Sequence, residues 1–253
     1  MLGLGLQATL RPKAEGAARP VQDGLVLADN FRKSPVNDEL GLTFPSNGSA
    51  EFNGTSDYVD TGIDIDTNNS LTFGAWAYWE DASLTSAIIG DGFPSSGEAA
   101  FSIIITASPN FDLYVSYGST YRVINGVIPP INQWFYISTT FENGNTKVYI
   151  NGSNVHTDTY SNNYPQHNRT TIFGARVGTD SPYTPLQYWD GNLANVAIWN
   201  RALTSDEINS VMWKGYDSLT ASEQNGLQAW YALDNITGTD VPDSTGNYNG
   251  TAY

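Results

Sequence analysis

The sequence has no cysteine and only two histidines among its 253 residues. Without thiols the chain forms no disulfide and no thiolate metal site. His156 and His167 leave little material for a zinc site or a Ser-His-Asp triad. These absences argue against disulfide-stabilised folds and against the commonest histidine-based hydrolases.

Charge and long apolar runs are also scarce. Only 11 basic residues face 26 acidic ones, for a net charge of −15, whereas nucleic-acid binding needs clustered Lys and Arg. Nowhere do 18 apolar residues run together, and Met1–Leu10 has neither a basic start nor a long apolar stretch after it. We therefore expect no nucleic-acid partner, no membrane insertion and no signal peptide.

Alternating apolar residues, aromatics and turn residues predict a two-sheet β-sandwich. Segment Leu71–Trp79 carries apolar side chains at both alternations, which predicts a central strand covered on each side. Asn143-Gly144-Asn145 separates two strand-like runs, a typical hairpin signal. Further strands are predicted at Phe101–Thr106, Asp112–Tyr117, Thr171–Phe173 and Leu193–Trp199.

Two short helices are predicted near the end of the chain. Thr204-Ser-Asp-Glu207 and Thr220-Ala-Ser-Glu223 each have a capping-box pattern, in which Thr and Glu satisfy the first free amides of a helix. These helices are expected as connectors on a β-protein.

Residues 1–45 differ from the rest. Five of the 11 basic residues lie there, at positions 11, 13, 19, 32 and 33, between small, polar and proline-rich stretches. A basic segment ahead of an acidic remainder of the chain suggests an arm that docks to a partner, although a simple linker fits the composition too.

Four segments resemble the laminin-G-like domains of the concanavalin A-like jelly rolls. Glu51–Val59 resembles their opening strand F-(D/N)-G-x-x-D-Y-V, Leu71–Trp79 their F-T-x-x-A-W strand, and Trp134–Gly152 their W…Y-(V/I)-(D/N)-G hairpin. Trp189–Ile208 resembles the closing signature F-x-G-x-(I/L)-x-x-V-x-I-(Y/W)-N-R-A-L-S-x-x-E-I. The resemblance implies an all-β, two-sheet antiparallel jelly-roll sandwich with short connecting helices.

A strand pair found at the start of many such domains comes last here, in Gly226–Asp234 and Asp243–Thr251. We interpret it as a permuted order within one domain, residues 46–253, in which segment 227–253 joins the same sandwich. A truncated second repeat is the alternative, but a lone strand pair is marginally stable.

Candidate metal ligands follow from the resemblance, which implies a structural calcium ion in many members. Calcium binds carboxylate, amide and main-chain oxygens on flexible turns. The candidates are Asp57, Asp60, Asp190, Asp243 and Asn247. Asp and Asn also cap turns by bonding their own backbone, so the same residues fit a purely structural role.

Aromatic side chains that could form exposed platforms edged by amides and acids are the candidates for carbohydrate binding. The residues are Tyr117, Tyr121, Asp180, Tyr183 and Tyr188. Filling the core is the alternative role for such rings. The Glu-x-Asp-x-x-Glu run of related glucanases is absent, so we expect a non-enzymatic module.

The opening Met-Leu-Gly-Leu-Gly-Leu, ahead of a laminin-G-like sandwich, resembles that of small bacteriophage structural proteins. We expect a virion surface protein, such as a capsid decoration, head-fibre or tail-associated subunit. Its arm would contact other virion proteins, its sandwich would bind host glycans, and it would be a homo-oligomer on the assembly. A cell-surface or extracellular carbohydrate-binding or adhesion module is the alternative, and a glycoside hydrolase comes third.

Overall fold

The structure is a computed structural model, and it describes nine stretches of the chain. They are residues 26–28, 48–66, 69–92, 100–107, 113–118, 120–124, 129–159, 169–178 and 184–253. Of the predicted arm, only the strand at 26–28 falls within them.

The described residues form 18 strands, two short α-helices and one 3-10 turn. The strands of the first half are β1 (Val26–Ala28), β2 (Ser49–Asn53), β3 (Val59–Asp60), β4 (Leu71–Trp79), β5 (Ser86–Gly90), β6 (Ala100–Ile105), β7 (Leu113–Gly118), β8 (Thr120–Ile124) and β9 (Trp134–Glu142). Then come β10 (Asn145–Ile150), β11 (Ser153–Thr159), β12 (Ile172–Phe173), β13 (Arg176–Val177), β14 (Pro185–Leu186) and β15 (Asp190–Trp199). Helix α1 (Ser205–Val211), the 3-10 turn Tyr216–Ser218 and helix α2 (Ala221–Gln224) precede β16 (Leu227–Tyr231), β17 (Asp240–Val241) and β18 (Gly250–Ala252).

Two antiparallel sheets form the sandwich, which confirms the predicted fold class. The first sheet has the order β1-β2-β15-β4-β9-β10-β11, with β16 also paired to β15. The second has the order β17-β18-β3-β12-β5-β6-β7-β8, and β13 and β14 form a separate ribbon. Side chains of both sheets meet in one buried core, where for example the rings of Phe73 and Phe101 lie 6.2 Å apart.

The central strand β4 has the predicted bounds and is covered on both sides. Phe73, Ala75 and Trp79 point into the core between the sheets. Trp76 points the other way, into a second buried cluster on the outer face of the first sheet. Helix α1 closes that cluster with Ile208 and Val211, so the sheet has an apolar layer on each side.

Local sequence signals explain how the chain turns. Asn143 and Gly144 have φ angles of 49° and 78°, the left-handed pair needed by a tight hairpin between β9 and β10. Both capping boxes are confirmed, with Thr204 bonding the Glu207 amide and Thr220 bonding the Glu223 amide. The predicted turns and connectors therefore lie where the sequence placed them.

The C-terminal segment contributes strands to both sheets. β16 pairs with β15 through Val196–Trp199, while β2 pairs with the other half of β15 through Asp190–Leu193. β18 pairs with β3 in the second sheet. Strands from the last 27 residues of the 253 thus pair with strands of both sheets.

Candidate functional site

Asp243 lies in the turn between β17 and β18, where the family resemblance implied a calcium ligand. One carboxylate oxygen accepts from the amides of Trp230 (2.7 Å) and Thr245 (3.0 Å). The other accepts from the amides of Asn247 (3.0 Å) and Tyr248 (2.9 Å) and from the Thr245 hydroxyl. Five donors saturate the two oxygens, so this carboxylate does not fit a calcium ion.

The other candidate ligands also have structural partners. Asp57 is buried and accepts from the side chains of Asn53 (2.8 Å) and Ser56 (3.1 Å), and burial raises its pKa. Asp60 accepts from the Gly62 amide, and Asp190 begins β15. In the part of the chain that the structure describes, no three His, Cys, Asp or Glu side chains come close enough to hold a metal ion. The geometry therefore gives the calcium prediction no support.

The predicted sugar-binding residues lie in different places. Tyr117 is in β7, opposite Phe101, and Tyr121 is in β8, opposite Ser116. Asp180 and Tyr183 lie outside the described residues. Tyr188 follows β14, where it is half-buried and its hydroxyl donates to the Pro185 carbonyl at 3.0 Å.

Tyr188 belongs to a group of tyrosines on the outer face of the second sheet. The rings of Tyr58 and Tyr253 stack in parallel, with centroids 4.8 Å apart and planes 7° apart. Tyr58 is half-buried, whereas Tyr253 is 53% exposed. Tyr58 and Tyr188 both pack against a small buried cluster of Ile172, Ala175 and Val177. We call Tyr58, Tyr188, Tyr253 and Asp60 the tyrosine patch.

The backbone fixes the stacked pair. Tyr58 directly precedes β3 and Tyr253 directly follows β18, and these strands are neighbours in the second sheet. The Tyr253 amide donates to the Tyr58 carbonyl at 3.0 Å, and the Tyr58 amide donates to the Tyr253 carbonyl at 3.4 Å. Two strands therefore hold the rings in register before any ligand arrives.

The side chains of Tyr253, Tyr188 and Asp60 lie near Tyr58. Burial is the largest cause of the raised pKa of Tyr58, and the nearby Tyr253, Tyr188 and Asp60 raise that pKa further. Burial also raises the pKa of Tyr188. Neutral phenols beside a carboxylate provide hydrogen-bond donors and acceptors around an exposed aromatic face.

Beside the patch, the ribbon of β13 and β14 is anchored to the second sheet. The Arg176 guanidinium donates to the Gln187 side chain at 2.5 Å, and the Ala87 amide donates to the Gln187 carbonyl at 2.7 Å. These bonds fix the chain immediately before Tyr188.

A sequence model of the concanavalin A-like lectin/glucanases superfamily matches residues 53–209, more than half of the chain. The chain belongs to this superfamily. A comparison with curated proteins finds no match. Tyr58, Asp60 and Tyr188 of the tyrosine patch lie within the matched residues, whereas Tyr253 lies beyond them.

Solved structures of the same fold include proteins of several kinds. A Bacteroides ovatus protein, described as a candidate carbohydrate-binding protein, has a TM-score of 0.63 at 19% identity over 81% of this chain and 57% of its own. Tailspike protein 2 of bacteriophage CBA120 has a TM-score of 0.54 at 14% identity over 85% and 33%. A SAP-like pentraxin from Limulus polyphemus has a TM-score of 0.50 at 16% identity over 64% and 80%. The chain thus spans little more than half of the first protein and a third of the second, and these identities establish the fold alone.

Tyr58 and Tyr253 were not predicted as site residues. Tyr58 belongs to the opening-strand motif shared with the superfamily, which concealed its outward position. Val59 and Ala252 are buried, so strand alternation alone places Tyr58, Asp60, Thr251 and Tyr253 on the outer face. The alternation of buried and outward-facing residues around β3 and β18 was therefore the sequence signal that could have identified these tyrosines.

Proposed function

We propose that the protein is a non-enzymatic carbohydrate-binding module and that the tyrosine patch is its binding surface. The observation that supports this most is the Tyr58–Tyr253 stack, whose outer ring is 53% exposed and whose inner ring lies near the carboxylate of Asp60. An exposed ring that a stacked neighbour holds in place offers a ligand a flat apolar face.

The chemistry of the patch matches that of a sugar. The C–H face of a pyranose ring is apolar and can cover an aromatic ring, while its hydroxyls seek donors and acceptors at the rim. The Tyr253 ring supplies the flat apolar surface, and the Tyr58 and Tyr188 hydroxyls and the Asp60 carboxylate supply the polar rim. Because the patch and the whole chain are acidic, neutral glycans fit better than anionic ones.

A glycan array followed by calorimetric titration tests this function. The exchange Tyr253→Ala should abolish binding at the tyrosine patch or weaken it at least tenfold there, whereas Tyr253→Phe should keep most of it. The matched control is Leu84→Ala, since Leu84 is the other large apolar side chain among the described residues that is clearly exposed, at 40%. Equal binding by wild type and Tyr253→Ala would remove the patch from the proposal.

We further propose that this module works on the surface of a virion. Support comes from the shared fold of the CBA120 tailspike protein and from the basic character of residues 1–33 ahead of an acidic body. Deleting residues 1–33 should leave a folded sandwich that no longer enters particles, with a small loss of stability because β1 pairs with β2. Normal incorporation of the shortened chain would contradict a docking role for this segment.

A cell-surface carbohydrate-binding module is the second candidate, supported by the likeness to the Bacteroides ovatus protein. Particle fractionation separates the two, because a virion protein co-purifies with capsids in fixed stoichiometry. A reducing-sugar assay across polysaccharides tests the non-enzymatic part, and sustained sugar release would overturn it.

A further inference from the structure

A row of polar and aromatic side chains crosses the outer face of the first sheet. In register, Glu51 of β2 lies opposite Asn192 of β15, Asn192 opposite Tyr78 of β4, and Tyr78 opposite Trp134 of β9. All four are half-buried. Their chain neighbours Phe52, Leu193, Ala77 and Phe135 point into the core, so the row faces away from it. Strands lie about 4.8 Å apart, so the row is roughly 14 Å long.

The two rings of the row are held firmly. The Tyr78 and Trp134 rings lie 5.5 Å apart and are tilted by 52° to each other. Trp134 also packs against the buried cluster under helix α1, which contains Trp76. Because these contacts fix the rings before binding, little side-chain freedom remains to be lost when a ligand covers them.

Hydrogen-bonding groups surround the rings. Burial is the largest cause of the raised pKa of Tyr78, and the carboxylate of Glu80 raises that pKa further. Glu80 is exposed and lies two residues after Tyr78 in the chain. The Asn192 amide donates to the Ser49 hydroxyl at 3.1 Å, which holds its side chain against β2. Two carboxylates and an amide thus lie on the same face as the two aromatic rings, and the Tyr78 hydroxyl adds a further polar group, which together form a polar rim suited to hydroxyl groups.

We propose that this row, Glu51–Asn192–Tyr78–Trp134, is a second binding surface for neutral glycans. It lies on the first sheet and the tyrosine patch lies on the second, so the module would present two glycan sites on opposite faces. This inference rests on the proposed carbohydrate-binding function. Its consequence is bivalency, through which one module bridges two sugar chains or gains avidity on a dense glycan surface.

Calorimetric titration of the full chain with cellotriose, maltotriose and mannotriose, read together with tryptophan fluorescence, tests the proposal. Wild type should bind the recognised trisaccharide at two sites, with a fluorescence change from Trp134. Tyr253→Ala should leave one site that still changes the fluorescence. Trp134→Ala should leave one site and lose most of that change.

Tyr78→Ala is a second variant, since loss of Trp134 also disturbs packing under α1. It should weaken the same site at least tenfold with an unchanged melting curve, and Leu84→Ala should affect neither site. A single site in wild type that vanishes in Tyr253→Ala would overturn the second surface and leave the proposed function standing. Absence of binding by any sugar to any form, on arrays as well as in titration, would overturn both.

Aromatic rows also occur in protein interfaces. Sedimentation of wild type and Trp134→Ala distinguishes that case. Self-association that depends on Trp134, with both sugar sites retained in the variant, would assign the row to protein contact and overturn the proposal.

Discussion

The carboxylate of Asp243 accepts a hydrogen bond at 2.7 Å from the backbone amide of Trp230, which lies 13 residues earlier in the chain. This bond ties the turn between β17 and β18, in the second sheet, to β16 in the first sheet. With four more donors on the same carboxylate, Asp243 joins the two sheets at the C-terminal end of the fold.

The exchange Asp243→Ala should therefore destabilise the protein by about 2–4 kcal/mol, because one buried and three partly buried amides lose their acceptor at once. Chemical denaturation measures the change, and Asp240→Ala is the matched control, since Asp240 is exposed in the adjacent strand. Millimolar calcium and a chelator should give the same melting temperature for the wild type. A clear rise in calcium that disappears in Asp243→Ala would restore the metal site.

Glu223 should make stability depend on acid pH. Burial alone would raise its pKa, but hydrogen bonds from Lys214, the Thr220 amide and Ser210 outweigh burial and lower it from 4.5 to about 2. Since the folded pKa is the lower one, the stabilisation is complete above about pH 4.5 and is lost as the pH falls towards 2. The contribution is at most about 3 kcal/mol.

Denaturant titrations of wild type and Glu223→Gln between pH 2 and 6 measure this contribution. The stability difference between them should be largest near pH 6 and shrink as the pH falls. Glu142→Gln, at the exposed end of β9, is the control and should track the wild type. A difference that stays constant with pH would show that Glu223 acts by packing alone.

Trp76 and Trp134 should differ in their contributions to stability. Trp76 is buried, and its indole donates to the Met212 carbonyl at 2.7 Å, whereas Trp134 is half-buried. We expect Trp76→Ala to cost about 3–5 kcal/mol. Trp134→Ala should cost about 1–2 kcal/mol. Thermal and denaturant unfolding check the order, and equal losses would contradict the assignment of Trp134 to the surface row.

A chain ending at residue 225 should fail to fold stably. It lacks β16 and β18, and with them the buried side chains of Trp230 and Tyr231. The freed edges of β15 and β3 would then be open to pairing between molecules. Light scattering and soluble yield test this, with removal of Tyr253 alone as the control. A soluble, monomeric and equally stable fragment would contradict the integral role of these strands.

The fold could be predicted from the sequence because its signals are local. The alternation in Leu71–Trp79, the Asn143-Gly144 turn and the two Thr-x-x-Glu caps each lie within nine residues. The site is different, since Tyr58 and Tyr253 meet only through the pairing of β3 with β18. Tyr188 and Asp60, predicted for two separate sites, lie in one patch for the same long-range reason.

Asp243 illustrates a second limit. A turn such as Asp-Ser-Thr-Gly-Asn presents the same carboxylate whether it binds a metal or caps its own backbone. The deciding donor is the amide of Trp230, which belongs to a different strand. Local sequence cannot distinguish the two roles, because the evidence lies in tertiary packing.

The divided pairing of β15 has a consequence for folding during synthesis. A ribosome releases the chain from its N-terminus. As the nascent chain passes residue 199, β2 and β4 are available to β15, but the partner of Val196–Trp199 has yet to be made. The residues of helix α1, which packs over the same half of the strand, are made in that interval. Because β16 and β18 follow β15 in the chain, the two sheets gain these strands only after residues 227–252 have been made, and a chain stalled before them would be a substrate for chaperones.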